Sequence, residues 1–137
     1  MSEAGTVLIA VSDGTLADSL RFSLELEGYE TRFCDEHTVS PLLRAPRVRG
    51  ACLVLDQDVF SRVEETCESE FPGHPSVPVI LMVSQKTERV LAKARTGGVT
   101  EVLEKPILGG LMLETIRQVL EKNGCSSPVT GPAIQAS

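Results

Sequence analysis

Residues 51–56, ACLVLD, carry five apolar side chains into an aspartate, and residues 101–106, EVLEKP, end on a lysine and a proline. An unbroken apolar run from Ala51 to Leu55, entered from Gly50 and closed by Asp56, reads as a strand buried on both faces. Strands of that kind belong to parallel sheets covered by helices, so helical segments are expected on both sides of it.

The pattern continues outward in both directions. Upstream, Thr6 to Val11 is a short β-branched run closed by Ser12-Asp13-Gly14 and reads as a buried strand. Leu16, Leu20 and Leu24 then recur at helical spacing, with Thr15 as a possible cap three residues before Asp18 and Gly28 as the stop. Tyr29 to Cys34 is a second strand, His37 to Leu43 a weak helix, and Pro46 and Gly50 mark a loop holding Arg44, Arg47 and Arg49.

Downstream, a polar helix or irregular stretch from about Val59 to Glu70 leads to the loop Pro72-Gly73-His74-Pro75. Val77 to Val83 is a fourth strand, and Thr87 caps a helix running to about Thr96, which Gly97-Gly98 ends. Thr100 to Leu103 is the fifth strand, and Leu111, Ile116, Val119 and Leu120 lay an apolar stripe on a last helix. Five strands alternating with five helices predict a doubly wound parallel sheet with right-handed crossovers, in a domain spanning residues 1–122. The small-residue tail 123–137 is expected to be disordered.

Ligands of such sheets bind beyond the carboxyl ends of the strands. The residues there are Ser12 and Asp13, Asp56, Ser84 and Gln85, and Glu104-Lys105-Pro106. An acid ending a central strand, within reach of a lysine from another strand end, makes a small charged pocket. Each of these residues also has an ordinary reading: Asp56 and Asp13 as helix caps, and Lys105 as a solvated charge.

In order and spacing, TVLIAVSDG (6–14), LEGYE (26–30), ACLVLD (51–56), VPVILMVS (77–84), GGV (97–99) and EVLEKP (101–106) resemble the receiver domain of response regulators. The resemblance implies a CheY-like, flavodoxin-like α/β sandwich with strand order 2-1-3-4-5. It implies that Asp56 is a phosphoacceptor for a histidine kinase, that Lys105 pairs with the phosphoryl oxygens, and that the Lys105-Pro106 bond is cis.

Several positions depart from that pattern. The acidic pair after the first strand falls on Val11 and Ser12, with Asp13 one place late. A magnesium ion on Asp56 and Asp13, helped by the Ser12 hydroxyl and the Asp58 backbone carbonyl, would be weakly held, so the expected cofactor is none or weakly bound magnesium. The hydroxyl expected after the fourth strand falls on Val83, and Val102 stands where the family's aromatic switch residue would be. The expectation is a pocket resting on one Asp56–Lys105 pair, closed without metal, and a degenerate receiver that signals by binding partners.

Composition narrows the other possibilities. A chain of 137 residues with 42% hydrophobic residues suits one domain, and a net charge of -6 argues against unaided binding to nucleic acid or an anionic membrane. Cys34, Cys52, Cys67 and Cys125 form no CxxC pair, which favours reduced thiols and a cytoplasmic location. His37 and His74 lack a second ligand at metal spacing and read as surface loop residues. A hydrolase or flavin protein of the same topology would need a Gly-rich loop after the first strand or a GxSxG elbow, and the sequence has neither. The expected role is therefore not enzymatic. The expected partners are a histidine kinase or another signalling protein, or a second copy docking through the last two helices and the fifth strand.

Overall fold

The computed structural model describes residues 5–43, 50–66, 77–105, 107 and 109–122. Its elements run β1 (Thr6–Ala10), α1 (Gly14–Leu26), β2 (Glu30–Phe33), α2 (Glu36–Leu43), β3 (Ala51–Asp56), α3 (Gln57–Thr66), β4 (Val79–Val83), α4 (Glu88–Thr96), β5 (Glu101–Glu104) and α5 (Gly109–Lys122). All pairings are parallel, and the sheet order is β2-β1-β3-β4-β5, as the resemblance implies.

Alternation along β3 and β4 sorts the core into two layers. Leu53, Leu55, Leu81 and Val83 face Val59, Phe60 and Val63 of α3 and Ala94 of α4. Cys52, Val54, Ile80 and Met82 face Ala17 and Leu24 of α1 and Met112, Ile116, Val119 and Leu120 of α5. Both central strands are buried throughout, which is why they lack the polar alternation of a half-exposed strand. β2 is a short edge strand whose Glu30 and Arg32 are exposed, and charges of this kind discourage edge-to-edge pairing.

At the start of α1 the sequence offered two caps, Thr15 and Asp13, and the structure uses the second. Asp13, rather than Thr15, caps α1, its Oδ1 accepting from the Thr15 and Leu16 amides at 3.0 and 3.2 Å. A cap must precede the first helical turn, and α1 begins at Gly14. Gly28 follows α1 with φ of 96°, the left-handed conformation that glycine adopts without steric cost. Thr87 caps α4 as expected, accepting from the Val90 amide at 3.2 Å.

His37 lies within α2, exposed, rather than in a loop. Cys34 is half-buried and Cys52 buried, and neither is in a disulfide. The expectations for the arginine loop, His74, Cys67, Cys125, Pro106 and the 123–137 tail lie outside the described residues. Among the described residues, no helix is long and apolar enough to cross a membrane.

Candidate functional site at the carboxyl end of the sheet

Asp56 is the last residue of β3, 2% exposed, and the first turn of α3 starts immediately after it. Its Oδ1 accepts from the Val59 amide at 2.9 Å, three residues on, which is the geometry of a helix N-cap. Its Oδ2 accepts from the Ser12 amide at 2.9 Å and from the Ser12 hydroxyl at 2.8 Å. Register explains the meeting. Ala10 pairs with Leu55, so the chain leaving β1 passes directly over the end of β3 and delivers Ser12 to the carboxylate. Three internal donors and the positive end of α3 thus hold a buried carboxylate.

The expected Asp56–Lys105 pair is not formed. Lys105 follows β5, its amide donates to the Val83 carbonyl at 2.8 Å, and its side chain lines a cavity on the α1/α5 side of the sheet. Among the described residues it makes no ion pair. The physical reason is that Asp56 already has its hydrogen bonds from Ser12 and Val59, so its burial does not require a cation.

Asp58, exposed in the first turn of α3, stands 3.3 Å from the Ser12 hydroxyl. That hydroxyl has one proton, and the shorter contact directs it to Asp56. Asp13 is turned to the α1 amides. A magnesium ion would therefore have to take Asp56 Oδ2 from two Ser12 donors and Asp13 from its cap. Among the described residues, no three His, Cys, Asp or Glu side chains converge as a metal site. These residues fit a hard, oxygen-seeking cation poorly.

The fourth strand also corrects the sequence reading. Val83 is fully buried in the layer under α3 and α4. Ser84, one residue later, lines the α1/α5-side cavity together with Lys105. A hydroxyl does stand at this strand end, and alternation assigns it to Ser84 rather than Val83. The Ser84 amide donates to Gln57 Oε1 at 3.3 Å, and the Lys86 amide to Glu104 Oε2 at the same distance. Glu104 was among the strand-end residues read from the sequence, whereas Gln57, beside Asp56, was not; a side-chain brace to a loop amide leaves no periodic signal. Val102, half-buried against the α3/α4 layer, has no ring to swing.

No protein-family model and no curated protein sequence matches the chain. Solved structures do. A response regulator receiver protein from Burkholderia phymatum superposes with a TM-score of 0.62 at 21% identity, covering 91% of this chain and 99% of that one. A CheY-like receiver domain protein from Methanospirillum hungatei gives 0.64 at 17%, covering 88% and 96%. NtrX from Brucella abortus gives 0.65 at 24%, covering 88% of this chain and 27% of that longer one. With its 2-1-3-4-5 sheet and these likenesses, the chain has the CheY-like receiver fold.

Proposed function

We propose that this chain is a two-component signalling module of the receiver type that acts mainly by protein–protein contact, with a degenerate phosphorylation pocket that keeps Asp56 and Lys105. One observation carries the reading. The Asp56 carboxylate accepts three hydrogen bonds, two from Ser12 and one from the Val59 amide, and makes no ion pair with Lys105. Attack on a phosphoryl donor draws negative charge out of a carboxylate that these three hydrogen bonds stabilise, at a buried site where, among the described residues, no cluster of metal-ligating side chains converges to offset the charge of the donor. The partners are a histidine kinase or another signalling protein, or a second copy meeting it through α4, β5 and α5.

A second reading, in which Asp56 is a slow phosphoacceptor, is favoured by Ser84 and Lys105 lining one wall at adjacent strand ends. Intact-protein mass spectrometry after incubation with acetyl phosphate and magnesium separates the two, with Asp56→Ala as control. The leading reading expects no phosphoryl adduct under conditions that label an ordinary receiver. An adduct lost in Asp56→Ala would overturn it in favour of the second.

A further inference from the structure

Helices α1 and α5 cover the same face of the sheet, yet a cavity of about 620 Å³ lies between them. Its walls are apolar: Leu16 and Leu20 of α1, Met82 of β4, and Met112 and Leu113 of α5. Lys105 and Ser84 stand at the end nearest the strand termini. The volume falls in the range of small-molecule sites, where apolar walls and a few polar groups fix the orientation of the ligand. The cleft opens to solvent at Ser19 and Ser84, both exposed, and Leu24 and Met82 form its buried floor, so a ligand can enter it and find apolar contact.

The charge of the lining is as informative as its shape. No aspartate or glutamate lines the cavity among the described residues, although the chain carries a net charge of -6. Lys105 is the one cation there among the described residues, and it makes no ion pair with them. One ammonium at the end of an apolar cleft complements one negative charge on an apolar body. A dianion is disfavoured, because Asp56 lies in register with Met82, a wall residue.

We infer that the cavity between α1 and α5 binds a small amphipathic carboxylate, its apolar body between Leu20 and Leu113 and its carboxylate on Lys105. The site shares Ser84 and Lys105 with the Asp56 pocket and extends from them between α1 and α5, and binding there needs no phosphoryl chemistry. The probe is decanoate, titrated into the full ¹⁵N-labelled chain and followed by amide chemical shifts, with 1-decanol as the uncharged comparison.

Saturable shifts are expected in α1, α5 and Lys105, with decanol weaker by about tenfold or more, the worth of one charged hydrogen bond. Lys105→Gln should weaken decanoate by a similar factor and leave decanol unchanged. Ser23→Leu, which fills the cavity from α1, should abolish both, and Ser19→Leu, at an exposed rim position, serves the same purpose should the first variant not fold. Shifts that do not saturate, shifts centred elsewhere, equal affinity for decanol, or decanoate binding that survives either filling variant or is indifferent to Lys105→Gln would each overturn the inference.

Discussion

Replacing Ser12 by alanine removes the 2.8 Å hydroxyl donor from a carboxylate that is 2% exposed, while leaving the Ser12 amide and the Val59 amide in place. A hydrogen bond to a charged group contributes about 1.5–3 kcal/mol, and the exposure of Ser12 lets water replace part of it. The expected loss is therefore near the lower end, about 1.5–2 kcal/mol. With a urea m-value of about 2 kcal/mol/M, the unfolding midpoint should fall by about 1 M with the slope unchanged. Ser19→Ala, which deletes an exposed hydroxyl on α1, is the control and should stay within about 0.5 kcal/mol. In an Asp56→Ala background the Ser12 substitution should cost little, so the double-mutant cycle should return a coupling of about 1 kcal/mol or more. A Ser12→Ala midpoint equal to that of Ser19→Ala would refute the reasoning that Ser12 holds Asp56.

Thr87→Ala removes the side chain that caps α4 and should cost about 1 kcal/mol by the same denaturation assay. Gly28→Ala should cost about 1–2 kcal/mol; an added Cβ meets nothing within 4 Å, so the whole cost lies in the positive φ of 96°, and Gly28→Asn should cost less. Asp35 caps α2 through the Thr38 amide and hydroxyl, and the amide bond above all holds its carboxyl below the ordinary aspartate range. A lowered folded value means that its stabilisation is present above the unfolded pKa and fades as pH falls through the folded one. Melting curves between about pH 5 and about pH 2 should therefore show a smaller loss for Asp35→Ser, whose cap does not titrate, than for the parent chain.

The fold was legible because the strands differ so sharply from what surrounds them. ACLVLD and VILMV are unbroken apolar runs, and the helices between them carry their caps and stops in the sequence, as Thr87 and Gly28 do. The site was half legible. Residue type and position pointed to Asp56, Lys105, Ser12 and Ser84, but which oxygen meets which donor depends on register. The approach of Ser12 over the end of β3 and the placement of Ser84, rather than Val83, on the Lys105 side follow from strand alternation and pairing. Counting residues from a family pattern gave the opposite result for Val83. The α1/α5 cavity was not legible at all. Its lining comes from two helices and two strand ends, each of which reads by itself as ordinary core.

The most direct test of a carboxylate fixed by its own domain is the amide spectrum of the labelled chain with magnesium and beryllofluoride, a mimic of the phosphoryl group. The account predicts an unchanged spectrum, because Asp56 keeps its bonds to Ser12 and Val59 and takes no beryllofluoride. A second set of resonances in slow exchange, extending through Glu88–Thr96 and Glu101–Glu104, would contradict it and show that Asp56 releases Ser12 and drives a conformational shift.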